Sequence, residues 1–384
     1  MSKMSSNSDK PVVCWITADC FVDCDLKPGF LKVISEVFSI RWIVVLPKSN
    51  ARYSDSDFEE IKSAGADIEI SFLYMNHRLR DIRRFLDYKR LKNSIKKISP
   101  DVIYLNLAVG EPFMIPLVYS LPTDITVITA HQGRVHEGMK PKWLYSLCRN
   151  LVYRRLTKVN MFSKSQMIFF KDCFPKSRVF LNQLGLKEFG TPTVCRDRNS
   201  PVVRFLSFGI INHAKNIELL IDAAESLYDE GERGFTVSIN GGCDNWAYYA
   251  QRIKHAGIFE LDIRMIPNEA IPDLFTRSHF FVQPYRVVSQ SGPLKIAYSY
   301  NTPVIVSDLP GFTDEVVDGV SGFIFKSEDM ASLKTAMKRA IKCYQYEYST
   351  LEVSMADYVR QNYSSESMAK SYLHMFQCVL NNEQ

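Results

Sequence analysis

No stretch of the 384-residue chain approaches the roughly 20 uncharged apolar residues that cross a bilayer. The longest apolar run near the start, residues 42–47 (Trp-Ile-Val-Val-Leu-Pro), has the length of a strand, so nothing is expected to span a membrane. The opening residues are polar and small and lack the basic-then-apolar pattern and cleavage site of a signal peptide, so a cytoplasmic location is expected. The nine cysteines are odd in number and scattered, with no Cys-x-x-Cys pair; the nearest two, Cys20 and Cys24, fall in an apparent loop. That pattern argues against a disulfide framework and offers no metal-ligand or redox spacing, and reduced thiols fit a cytosolic compartment. Internal repeats and low-complexity tracts are absent as well.

What is present is the balance of an ordinary folded protein, 46% hydrophobic and 23% charged, in a chain too long for one core, so two domains are expected. Short apolar or β-branched runs at residues 12–17, 42–47, 68–72, 102–106 and 126–130 alternate with helix-length segments, the signature of a parallel sheet. The polar, proline-containing stretch 190–201 reads as a linker. A second cycle follows, with strands expected at 203–208, 235–240, 263–266, 280–283 and 303–307 and helices at 216–229, 244–256 and 271–277. The expected division is residues 1–190, residues 200–360 and a C-terminal helix in 361–384. Two α/β domains in tandem leave a cleft at the carboxyl ends of their sheets, where such sheets bind ligands.

Three constellations carry chemistry. The strand ending at Phe208 runs through Gly209 and Asn212 to Lys215 just before a helix; a lysine and a helix N-terminus together favour an anion. After the strand at 280–283 comes Pro284-Tyr285…Gln290-Ser291-Gly292-Pro293, where Ser291 suits an N-cap, Pro293 the first turn, and Gly292 lets a ligand approach main-chain amides. After the strand at 303–307, a Pro-Gly turn leads into a short helix containing Glu315, with Gly319 and Gly322 marking a further turn. Each alone also reads more plainly, as an exposed lysine, a capped helix and a carboxylate near a helix N-terminus respectively.

The order and spacing of these blocks resemble the retaining glycosyltransferases of family 4, whose GT-B fold is α/β with two Rossmann-like domains and parallel sheets facing an interdomain cleft. Seven ordered matches lie after residue 200: 208–215, 238–242, 267–275, 284–292, Thr302-Pro303-Val304-Ile305, 311–317 and 318–322. The N-terminal half resembles the family only through residues 100–104 and through Thr129-Ala130-His131. Lys215 falls on the family's donor-phosphate lysine, while Asn212 replaces a basic residue and Asn216 a glycine. The family's Glu-x7-Glu carboxylates would fall on Val288 and Ile296; the Gln-Ser-Gly loop marks a subset that lacks them.

The resemblance implies transfer of a hexose-type sugar with retention from a UDP- or GDP-sugar to a glycan or lipid-linked glycan, in the making of bacterial O-antigen, capsule or exopolysaccharide. The resemblance implies no permanently bound cofactor and no metal, with which the lack of an Asp-x-Asp motif in a plausible loop agrees. The implied catalytic residues are His131, Lys215 and Glu315, and the donor contacts Gly209, Asn212, Lys215, Gly241, Gln290, Ser291, Gly292 and Glu315. His213, His136 and Asp19 are weaker candidates. Basic segments 77–98 and 140–158 are candidates for peripheral contact with anionic lipid on the inner face of the cytoplasmic membrane; no nucleic-acid motif accompanies them. The rival readings are a catalytically silent nucleotide-sugar-binding or scaffold subunit, and an epimerase or phosphorylase of the same fold.

Overall fold

The computed structural model describes residues 10–22, 28–63, 67–78, 80–133 and 141–382; Cys24 and His136 lie outside the described residues. The chain divides into two compact units, one made of residues up to Gly185 together with those from Tyr363 onwards, the other of Leu186–Asn362.

The first unit is built on seven strands: β1 (Val12–Ala18), β2 (Ser39–Pro47), β3 (Ile68–Met75), β4 (Val102–Asn106), β5 (Thr126–Thr129), β6 (Lys158–Met161) and β7 (Arg178–Leu181). All pair in parallel in the order β3-β2-β1-β4-β5-β6-β7. Successive strand side chains point to opposite faces. Val13 and Trp15 therefore enter one core cluster, and Cys14 and Ile16 the other. A sheet covered on both faces needs continuous apolar strands, which is why these segments stand out in the sequence. The helix Ser365–Leu380 belongs to this unit: Met368, Tyr372, Met375 and Phe376 are buried in its core, and Tyr372 stacks on Trp15 at 5.5 Å. The chain thus passes between the units twice.

The second unit has six strands: β8 (Val203–Phe208), β9 (Phe235–Asn240), β10 (Phe259–Asp262), β11 (Phe280–Gln283), β12 (Val304–Ser307) and β13 (Gly322–Phe325). They are again parallel, in the order β10-β9-β8-β11-β12-β13. The order reverses between β8 and β11. Doubly wound sheets bind ligands outside the carboxyl ends of the strands at that point.

Several elements differ from the sequence expectation. The edge strand β10 precedes the expected 263–266, because β9 ends at Asn240, opposite Asp262, and offers no partner further on. The expected helix 244–256 shortens to Trp246–Ala250. Gly322 also does more than close the turn, in which its carbonyl accepts from the Gly319 N–H at 2.8 Å: it opens β13 at φ 155°, where a Cβ would stand 2.0 Å from the Val304 carbonyl oxygen. The stretch 190–201 is no open tether. Arg196 in it donates to the carbonyls of Ser278, Tyr300 and Asn301 and pairs with Glu352 at 2.7 Å, all within the second unit. Among the described residues, no helix is long and apolar enough to cross a membrane.

Candidate active site

The reversal between β8 and β11 brings together the two loops that follow these strands. From β8 the chain passes Gly209 (φ 112°) and Ile211 into a single 3-10 turn, His213–Lys215. Asn212 caps that turn, its Oδ1 accepting from the Ala214 N–H at 3.1 Å, so this residue aims Lys215. The Lys215 ammonium sits 3.7 Å from the centroid of the Tyr285 ring, which belongs to the β11 loop. A cation over an aromatic face is held there electrostatically. Burial lowers the Lys215 pKa to about 8, because removal from water disfavours the charged form.

Arg286 ties the same two loops together. Its main-chain N–H donates to the Ala214 carbonyl and its guanidinium to the His213 carbonyl, both at 2.9 Å, while the guanidinium also meets Glu218 at 2.9 Å. A third loop, after β9, enters through Gly241. This residue has φ 154°, and a Cβ there would lie 2.0 Å from the Gly209 carbonyl oxygen. Only glycine permits that approach.

The β11 loop ends at a helix, Gly292–Ser299, capped by Ser291. The Ser291 hydroxyl accepts from the Leu294 N–H at 3.2 Å and donates to Gln283 at 2.8 Å, which leaves the main-chain N–H as this residue's group for a ligand. Pro293 lies in the first turn and stands across from Gly209, 4.0 Å from where a Cβ would be. The Gln290 side-chain nitrogen is buried without a hydrogen-bond partner, as are both amide atoms of Asn216. A buried donor left unpaired costs roughly 1–3 kcal/mol, a cost that a ligand can relieve.

Sequence reasoning missed Lys187. Its ammonium passes 3.4 Å from where a Cβ of Gly292 would be, which puts a second cation at the head of this helix. No motif surrounds Lys187, and only the fold carries the segment after β7 to this point. Glu315 is buried to 12% side-chain exposure, and its carboxylate meets the buried ammonium of Lys295. Its carbonyl accepts from the hydroxyls of Tyr298 at 2.6 Å and Tyr358 at 2.8 Å, so this residue is fixed from both ends.

In the first unit, His131 follows β5. Its Nε2 donates to Asn106 Oδ1 at 2.7 Å, and the ring stacks on Phe21 at 3.7 Å. Asp19 follows β1 and accepts from the Arg52 N–H at 2.9 Å. His213 is exposed. Within the second unit, then, Gly209, Asn212, Lys215, Gly241, Gln290, Ser291 and Gly292 converge on one crest.

Two Rossmann-like parallel sheets of this strand order define the GT-B class of fold, and solved structures agree. A glycosyltransferase from Rickettsia africae matches 98% of this chain and 100% of its own at TM-score 0.68 and 14% identity. Sucrose-phosphate synthase from Thermosynechococcus elongatus matches 97% and 100% at TM-score 0.70 and 12% identity. Anabaena HepE, solved in complex with UDP and glucose, matches 96% and 99% at TM-score 0.65 and 12% identity.

In sequence, residues 196–361 match the family model described as Glycosyl transferases group 1, a stretch lying wholly within the second unit. Glycogen synthase 2 of Methylococcus capsulatus is 25% identical over 193 residues, 47% of this chain and 39% of that protein. Glycogen synthase of Pseudomonas aeruginosa is 30% identical over 132 residues, 34% of this chain and 25% of that one. The chain thus spans less than half the length of these curated relatives.

Proposed function

We propose that this protein is a retaining glycosyltransferase of the family 4 kind, moving a hexose-type sugar from a UDP- or GDP-sugar to a glycan or lipid-linked glycan acceptor in surface-polysaccharide synthesis. The convergence of Lys215, Lys187 and the head of the helix Gly292–Ser299 where β8 and β11 part carries the reading. Two ammonium groups and oriented main-chain N–H groups form a cradle for a diphosphate, and the match to Glycosyl transferases group 1 covers this unit. The likeness to HepE, solved with UDP and glucose, supports a nucleotide of that class.

In this reading the anomeric C–O bond to the diphosphate breaks as the acceptor hydroxyl oxygen bonds the same carbon, and the hydroxyl proton leaves with the diphosphate. Negative charge grows on the leaving group. Preorganised donors aimed at that charge lower the barrier, each contributing about 3 kcal/mol. Lys215 and the N–H groups of Ser291 and Gly292 serve here, Gln290 adds its unpartnered amide, and Gly209 and Gly241 let the loops close on the phosphates. Glu315, braced by Lys295, accepts from a sugar or ribose hydroxyl, and His131 from a sugar hydroxyl. The basic segments 77–98 and 140–158 seat the first unit on anionic lipid.

The glycogen synthases among the relatives favour one alternative, a neutral α-glucan as acceptor. The test is to incubate the protein with a panel of UDP-, GDP- and ADP-sugars and measure release of the nucleoside diphosphate. One donor should turn over, and Lys215→Ala should slow it by about 100-fold or more. Binding without turnover of any donor would favour the silent-subunit reading, and undiminished turnover in Lys215→Ala would remove the phosphate role.

A further inference from the structure

A cavity of about 860 Å3 lies in the first unit, outside the carboxyl ends of β1 to β4. Its apolar wall includes Val45, Met75 and Leu107, and its charged wall is uneven. Arg84 and Glu111 neutralise each other through two contacts of 3.0 and 3.1 Å, and the Tyr88 hydroxyl donates to the same carboxylate at 2.8 Å. Arg84 is held to 11% side-chain exposure, so this is a built wall and not a loose surface pair. Lys48, Arg78 and Arg80 also line the cavity, are exposed, and form no ion pair among the described residues; Asp19 is the carboxylate left to oppose them. Ile82, Phe85 and Leu86, in the turn and helix that bring Arg84 and Tyr88 to the cavity, are 78%, 44% and 48% exposed.

We infer that this cavity recognises an acceptor bearing a phosphate group on an apolar chain, with Arg78, Arg80 and Lys48 reading the phosphate and the apolar wall the chain beside it. The inference rests on the glycosyltransferase reading and names its acceptor class. A neutral glucan leaves three cations opposed by one carboxylate with nothing to bind, whereas a phosphate takes charge-assisted hydrogen bonds from guanidinium groups. Apolar surface exposed next to a cationic cavity suits the chain that carries such a phosphate.

The test titrates the full-length protein calorimetrically with monomeric octyl phosphate, inorganic phosphate and octyl glucoside, in the wild type, in Arg78→Gln/Arg80→Gln and in Lys215→Ala. Octyl phosphate should bind at least about tenfold more tightly than either other probe, and the double arginine variant should lose at least about tenfold of that affinity. Lys215→Ala should leave it unchanged. Equal binding of octyl phosphate and octyl glucoside would overturn the inference, as would loss of binding in Lys215→Ala with retention in the arginine variant. Inorganic phosphate binding as tightly as octyl phosphate would overturn the apolar part of the recognition. UDP titrated into the same samples reports on the other unit: octyl phosphate failing while UDP binds overturns this inference alone, and UDP failing overturns the reading on which it rests.

Discussion

The two units share a plan and differ at their crests. Each is a parallel sheet in which the first, second and third strands run to one side and the fourth onwards to the other. In the second unit the loops at the reversal are drawn tight: Gly241 against Gly209, Arg286 across to His213 and Ala214, Lys215 over Tyr285. In the first unit the corresponding strand ends open into a cavity, with Asp19 on its wall held by the Arg52 N–H. In the proposed function the tight crest, built from main chain, glycines and a fixed cation, suits an invariant diphosphate, and the open cavity with charged side chains on its wall suits the variable acceptor. The family match, confined to residues 196–361, follows the same division.

The comparison breaks first if the units are not separable in stability. Tyr372 is 1% exposed and stacks on Trp15 in the first unit, so Tyr372→Ala should destabilise that unit by about 3–5 kcal/mol in urea unfolding while leaving nucleotide affinity intact. A change in nucleotide affinity of comparable size would deny the division. Next in size is Gly241→Ala, which meets the Gly209 carbonyl and a left-handed φ together. Strain of this kind costs about 1–3 kcal/mol, and here it should appear as weaker UDP binding as well as lower stability. Equal UDP affinity in this variant would mean that the tight packing serves folding only.

The pH dependence sharpens the comparison further. The free Lys215 pKa of about 8 reflects burial, so the lysine is charged below that pH and loses its charge above it. Bound diphosphate favours the charged form. UDP affinity should therefore be level below pH 8 and fall above it, by at most about tenfold per pH unit, and Lys215→Met should be flat. In the nucleotide-free protein the sign is opposite: the unfolded chain keeps this proton to about pH 10.4, so between the two values stability from this group rises with pH. The smallest effect belongs to Asn216, which is buried with both amide atoms unpartnered at φ 52°. Asn216→Gly removes that mismatch and should stabilise the second unit by about 1 kcal/mol in chemical denaturation, whereas a loss of stability would show the amide to be satisfied.

The sequence reading matches β4, β8, β9 and β11 residue for residue, because apolar and β-branched residues dominate each and most of them are buried. It misses β6, β7 and β13. Of these, β6 buries Asn160, whose amide donates to the Tyr104 hydroxyl and accepts from Asn182, both at 2.8 Å. A polar residue satisfied by distant strands carries no local signature. The same division holds at the sites. Lys215, Ser291 and Gly292 stand in motifs that follow strands, and their neighbours along the chain announce them. Lys187 and the Arg84–Glu111–Tyr88 wall are assembled from segments far apart in sequence, and only the fold brings their members together.

The central claim is that the β8–β11 crest holds a nucleoside diphosphate through Lys215. Thermal unfolding in the presence of UDP, GDP, ADP and CDP tests it most directly, since a ligand at 100 times its dissociation constant stabilises by about 2.7 kcal/mol. One of the four should raise the melting temperature of the wild type, and Lys215→Ala should lose most of that shift. No shift with any nucleotide, or an equal shift in Lys215→Ala, would contradict the account.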